Sequence, residues 1–254
     1  MKVSSTLIST ATPEPVPKTP DERALIAPIW HTVVLIVVLV GLAIVQGYQQ
    51  TSLETFNPRS RLPLYLSMIV FELTLLGYVW LLGLRARRVR LRDLIDGKWT
   101  SIEDVGRDVG IAVMFWLVVV AVLFVLEKFL GTNPTGVKAV GVLLPQGVAE
   151  MAAWVILAST AGFCEEIIFR GYFQRQFFAL TGKSELAIAL QALIFGMAHI
   201  YQGVKGALTI AIYGAMFGVL AAARKSLRPG MIQHAGQDIL SGIVGSILKR
   251  RGLF

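Results

Sequence analysis

The sequence predicts an all-α fold, a polytopic bundle of seven or eight transmembrane helices around an intramembrane polar cavity. Composition and run length carry this reading. Hydrophobic residues make up 55% of the 254-residue chain, charged residues only 16%, and the mean hydropathy is +0.66. A soluble domain carries about 25% charged residues. The apolar residues gather in runs of about 20, the length that crosses a ~30 Å hydrocarbon core at 1.5 Å per residue. So much apolar surface argues against a soluble enzyme, and the hydrophobicity excludes disorder for most of the chain. The one cysteine, Cys164, excludes an internal disulfide framework and a multi-cysteine metal site. A net charge of +8 in such a chain reflects Lys and Arg in loops rather than nucleic-acid binding.

Residues 1–23 are polar and proline-bearing, without the apolar core of a signal peptide, and read as a disordered cytoplasmic tail. The spans then follow in order: Ile26–Val45, Leu62–Leu84, Val109–Leu126, Val148–Phe169, Leu186–Ile200, Gly206–Ala223 and Met231–Leu248. A further short segment, Val137–Leu144, ends at Pro145. The chain divides into the tail, N-terminal helices over 24–144 and a catalytic membrane domain over 145–254. Arg85, Arg87, Arg88, Arg90, Arg92 and Lys98 separate spans two and three, so that loop is cytoplasmic by the positive-inside rule. Alternation puts the N-terminus and Arg224, Lys225 and Arg228 inside, but Lys249, Arg250 and Arg251 outside, against the rule. An eighth span, or a last helix that stops short of crossing, would remove the conflict. Gly214 and Gly218 give a GxxxG spacing that points to close packing within the bundle.

A charge in the hydrocarbon costs at least ~2.5–3.5 kcal/mol at a helix centre, so ionisable residues inside spans are the first candidates for function. Carboxylates in apolar surroundings are Glu72, Glu150, Glu165, Glu166 and Asp238, and the histidines are His31, His199 and His234. Glu166 and Arg170 are four residues apart with the acid first, the favourable order for an ion pair. Glu165 points about 100° away and its neighbour four residues on is Phe169. An unpaired buried glutamate is a candidate general base. His234 and Asp238 share a helix face, beside the small Ala235 and Gly236. Taken singly, each cluster also reads as local packing or a helix end. Together, Glu165, His199, His234 and Asp238 come from three helices, and one shared polar pocket is the cheapest way to bury them. Depth requires the fourth helix to continue through Gly171–Leu180, with Arg170 buried against Glu166.

Glu165-Glu166-x-x-x-Arg170, Phe195-x-x-x-His199 and His234-x-x-x-Asp238 resemble the three motifs of the CPBP intramembrane proteases, the CAAX-protease and bacteriocin-processing (Abi) proteins that include the type II CAAX prenyl endopeptidases. The resemblance covers roughly residues 145–245. It implies a polar cavity open toward one membrane face and peptide-bond hydrolysis within it. It also implies Glu165 as the base that activates water, His199 holding that water, and His234 and Asp238 on the oxyanion side. Glu166, Arg170 and Phe195 would support them. Prenyl-processing members usually carry Asn at the position of Asp238. An ionised Asp repels a developing oxyanion, so Asp238 is protonated, orients His234 or binds a cation. The last option keeps zinc open, with Glu165, His199, His234 and Asp238 as N/O ligands; a metal-free glutamate mechanism fits the same residues.

The leading expectation is therefore an intramembrane endopeptidase acting on a membrane-associated or prenylated peptide or protein. The partners would be that substrate and the lipid bilayer, with no nucleic acid. The location would be a cell membrane, bacterial in character, where peptide maturation suits better than prenyl chemistry. A non-catalytic scaffold or bacteriocin-immunity protein of the same fold is the alternative. A transporter relaying protons through Glu and His is the third reading.

Overall fold

The computed structural model describes residues 24–55 and 58–252, so the expected tail over 1–23 lies outside the described residues. Long apolar runs satisfy their own backbone hydrogen bonds only as helices, and no strand occurs among the described residues. The helices are α1 (Ile29–Thr55), α2 (Leu62–Tyr78), α3 (Leu91–Ile95), α4 (Ile102–Leu130), α5 (Pro134–Leu143), α6 (Val148–Glu165), α7 (Gln174–Thr181), α8 (Ser184–Met197), α9 (Gly203–Arg224) and α10 (Arg228–Arg250). Five continuous helical stretches are long and apolar enough to cross a membrane: Ile29–Gln49, Leu62–Arg87, Ile102–Leu130, Val148–Thr181 and Ile200–Arg224. Their outer faces stay apolar and uncovered, with Val37 64%, Phe124 59% and Phe129 83% exposed. A belt of this kind is expected where lipid replaces water as the solvent. The chain is thus a multi-pass membrane protein.

Each expected span falls on a helix with shifted ends, but α8, at 14 residues, and α10 are not among the five membrane-crossing stretches. The short segment at 137–144 is α5, only 10 residues and ~15 Å long, half the hydrocarbon thickness. Asn133 caps it, its side chain accepting from Gly136 N at 3.2 Å. The fourth helix does continue past Arg170, running unbroken to Thr181. Between α6 and α7 the residues Glu166–Phe173 take a π-helical turn, and all eight are buried. The rings of Phe169, Phe173 and Phe177 follow one another at 5.9 and 5.5 Å along this stretch, which explains why the helix stays inside the bundle.

Polar contacts sort the helix ends into two groups. At one end Arg175 donates to Asp93 O and Leu94 O, Arg228 Nε to Asp96 O, and Ala27 N to Gln176 Oε1. Arg224 meets Asp108 at 3.6 Å there. This is the arginine end, which gathers the start of α1, the end of α2, α3, the start of α4, the end of α7, the end of α9 and the start of α10. At the opposite end Arg61 pairs with Glu150, Asn133 donates to Gln202 O, Lys249 to Gly141 O and Arg250 to Gln146 O. Lys249 and Arg250, which conflict with the positive-inside rule, therefore donate to backbone carbonyls at that end.

Small residues bring the functional helices together. A Cβ added at Gly162 would lie 2.7 Å from Ala235 N, so α6 and α10 touch through backbone. Gly214 and Gly218 similarly seat Phe195 and Gln191 of α8 against α9. The GxxxG spacing serves close packing inside the bundle.

Candidate active site

The π-turn sets the orientation of the two adjacent glutamates. Glu166 points into the protein. Its Oε1 accepts from Arg170 Nη1 at 2.9 Å and lies 3.1 Å from His234 Nδ1. Both side chains of the Glu166–Arg170 pair are at most 1% exposed. Arg170 Nη2 also donates to Gly214 O at 3.2 Å, and the guanidinium lies 4.4 Å from the Phe195 ring centre and 4.9 Å from that of Phe217. This gives Phe195 a physical role, since an aromatic face attracts a desolvated cation.

Because a carboxylate only accepts, the Nδ1 of His234 carries a hydrogen. Its Nε2 is thereby aimed at the other carboxylates, 3.6 Å from Glu165 Oε2 and 3.7 Å from Asp238 Oδ2. Both distances exceed a hydrogen bond. Glu166, not Asp238, is the residue that orients His234. The Asp238 side chain is 38% exposed and stands at the edge of a cavity. The backbone carbonyl of Asp238 accepts from Trp154 Nε1 at 2.8 Å, tying this turn of α10 to α6.

His199, expected inside the fifth span, lies two residues beyond the end of α8. Helix α8 ends at Met197, and His199 precedes the short 3₁₀ turn Ile200–Gln202. Gly203, at φ +80°, then opens α9. His199 Nδ1 sits 2.9 Å from Phe195 O. A carbonyl accepts only, so this nitrogen too carries the hydrogen and Nε2 keeps a lone pair.

A cavity of about 460 Å³ joins these groups, with Glu165, His199, His234 and Asp238 all in its wall. Glu165 Oε2 is buried without a hydrogen-bond partner. Glu72 of α2 lines the same cavity, within hydrogen-bonding reach of Glu165, and its Oε2 is likewise unpartnered. Two carboxyl groups in contact need a proton between them. Glu72 is the site residue that motif reading missed. Its signal was present: a carboxylate in mid-run whose neighbours three and four positions away, Met68, Ile69, Leu75 and Leu76, are all apolar. His31, by contrast, belongs to packing. Its Nδ1 lies 2.7 Å from Tyr172 OH, and its ring stacks on Tyr78 at 4.3 Å.

The sequence leaves zinc open, with Glu165, His199, His234 and Asp238 as its ligands. Among the described residues no three His, Cys, Asp or Glu side chains are grouped so as to hold a metal ion. His199 and His234 each have Nδ1 engaged and Nε2 left toward the cavity.

The fold and the site define a class: a multi-pass helical membrane protein with a carboxylate–histidine pocket drawn from several helices. Residues 147–240 match the family model described as type II CAAX prenyl endopeptidase Rce1-like. This is the family that the three motifs resemble, and the matched stretch contains all three. At the level of the family it supports a CAAX-type membrane protease. Comparisons with curated proteins and with solved structures returned no match.

Proposed function

We propose that the protein is an intramembrane endopeptidase that hydrolyses a peptide bond with water activated by Glu165. The observation that carries this is the buried Glu165 carboxylate oxygen, free of any donor, in a cavity wall beside His234 Nε2 and Asp238. The cavity lies within the bilayer in this reading, among the membrane-crossing stretches and beside α5 as a half-depth segment.

In this mechanism water sits against Glu165, its second hydrogen accepted by His199 Nε2. Glu165 takes a proton as the water oxygen attacks the scissile carbonyl. The new oxyanion accepts a hydrogen bond from His234 Nε2–H, with the ring in its imidazolium form held by Glu166 at Nδ1. Asp238, 3.7 Å from Nε2, balances that cation. Collapse of the tetrahedral intermediate breaks the C–N bond, and Glu165 returns its proton to the leaving amine. Glu72 shares a proton with Glu165 before water binds. Each step is carried by this chain's own side chains.

The substrate is a peptide or membrane protein that enters from lipid, lipidated or not. The same fold without catalysis, a scaffold or immunity protein, is the alternative; the unpaired Glu165 favours the enzyme, since a scaffold gains nothing from burying it. The deciding experiment compares detergent-purified wild type with Glu165→Gln on a peptide pool that includes farnesylated CAAX peptides, read by mass spectrometry with and without chelator. The expected result is wild-type cleavage that survives chelation and falls by about 10²–10⁴-fold in the variant, the usual contribution of a general base. Equal fragment patterns from both proteins would remove Glu165 as the base.

A further inference from the structure

The end of α2 gathers arginines at the edge of the membrane. Beyond Tyr78 the residues Val79–Leu84 form a π-helical turn, and Arg85–Arg87 follow as a single 3₁₀ turn. Arg88 then takes the left-handed conformation, φ +58°, and Val89 N donates back to Leu84 O at 3.0 Å. This reversal brings Arg90 and Arg92 round beside Arg85 and Arg88. The four arginines and Trp80 line one groove of about 520 Å³, which shares no residue with the cavity that holds Glu165.

The charge in this groove is not spent on the fold. At the same end of the bundle, Arg175 and Arg228 donate to the backbone carbonyls of Asp93, Leu94, Asp96 and Gly97. Arg85, Arg87 and Arg88 are exposed, and their guanidinium groups have no hydrogen-bond or ion-pair partner among the described residues. Residues 85–93 carry five arginines against one carboxylate, Asp93. That carboxylate is already engaged: Oδ2 accepts from Arg90 N at 3.2 Å, and Oδ1 lies 3.8 Å from Arg92 Nε.

The groove also straddles the boundary of the bilayer. Trp80 belongs to the membrane-crossing stretch Leu62–Arg87, and Trp80, Leu81 and Leu82 are 42%, 48% and 51% exposed. An exposed indole with arginines directly beyond it marks the depth where hydrocarbon gives way to headgroups. Guanidinium forks hold phosphate through paired hydrogen bonds, and basic clusters beside a spanning helix attract anionic headgroups. A soluble phosphate or a nucleic acid would meet the arginines and leave the apolar rim unused. A phospholipid uses both, with its phosphate among the arginines and its acyl chains along Leu81 and Leu82.

We propose that this groove is a binding site for an anionic phospholipid, which pins the end of α2 at the membrane interface. The site does not depend on the protease reading.

The test is lipid retention by the full chain, released from nanodiscs of phosphatidylcholine and phosphatidylglycerol in equal parts and read by native mass spectrometry. Wild type is compared with Arg85→Gln/Arg88→Gln/Arg90→Gln. A control removes the same charge from exposed residues at the opposite end, Arg59→Gln/Lys128→Gln/Arg251→Gln. Wild type and the control should keep phosphatidylglycerol in preference to phosphatidylcholine, and the groove variant should lose that preference by on the order of tenfold or more. Arg88→Gly suits the left-handed backbone and should show part of the same loss, which covers a triple variant that fails to fold. Equal retention of both lipids by wild type would overturn the proposal. So would a loss in the control as large as in the groove variant, or an Arg88→Gly protein that retains lipid as wild type does. Displacement of the retained lipid by inorganic phosphate at matched ionic strength would overturn it too, by making the groove a site for free phosphate.

Discussion

Removing the Arg170 guanidinium should do more damage than removing it together with its partner. In Arg170→Met, Glu166 stays at 1% exposure with its strongest donor gone. Breaking a buried pair from one side costs about 3–5 kcal/mol, because the remaining charge is uncompensated. Loss of the donor to Gly214 O and of the aromatic contacts at 4.4 and 4.9 Å acts in the same direction. For a chain of this size 1 kcal/mol corresponds to roughly 2–4 °C in Tm, so Arg170→Met should melt about 6–20 °C below wild type in detergent. The double variant Glu166→Gln/Arg170→Met removes the stranded charge while an amide still reaches His234, and should recover a good part of the loss. The assay is thermal unfolding of all four corners of the cycle, wild type, both single variants and the double variant, in one detergent. Additive single-variant effects, or an Arg170→Met shift under about 2 °C, would refute the buried-pair account.

Three further outcomes follow. Glu72→Gln puts a permanent N–H donor against Glu165 in place of the shared proton; one such hydrogen bond is worth about 1.4 kcal/mol, so kcat should fall on the order of tenfold, and an unchanged kcat would remove Glu72 from the site. Gly162→Val pushes side-chain atoms into Ala235, where an added Cβ already lies 2.7 Å from backbone N, and overpacking of this kind costs about 1–3 kcal/mol; a Tm equal to wild type would show that α6 and α10 separate freely. His31→Leu loses the 2.7 Å contact to Tyr172 OH; Thr32 Oγ1 at 2.8 Å still partners that hydroxyl, so the cost is one hydrogen bond of about 0.5–1.5 kcal/mol and Tm should fall by a few degrees, while kcat/KM on any cleaved peptide stays within twofold.

Spans were legible in the sequence because a bilayer demands long apolar runs whatever their partners. The four pocket residues were legible for the converse reason: each is costly to bury alone, so runs that contain them announce a shared site. The continuation of α6 through Arg170 followed from the same cost. The π-turn was not legible, since it changes backbone hydrogen-bond register without any composition that marks it. Glu72 was named among the buried carboxylates yet left out of the pocket, because its neighbour Glu165 is distant in sequence and no spacing rule links α2 to α6. The half-depth of α5 was open for a related reason: ten apolar residues fit a surface cap or part of a span equally well until Lys249 and Gln202 are seen beside it.

The single oxygen Oε1 of Glu166 serves both Arg170 and His234, which gives two adjacent, identical residues different evolutionary fates. Glu165 has only Glu72 and the more distant His234 Nε2 beside it, so a lineage that abandons catalysis loses little stability when it drifts. Glu166 is a structural keystone that such a lineage must retain. Relatives that have become pure scaffolds should therefore keep the second glutamate, the arginine and the histidine while the first glutamate varies. A chain that shows the reverse, the first glutamate without the second, should be rare because it does not fold.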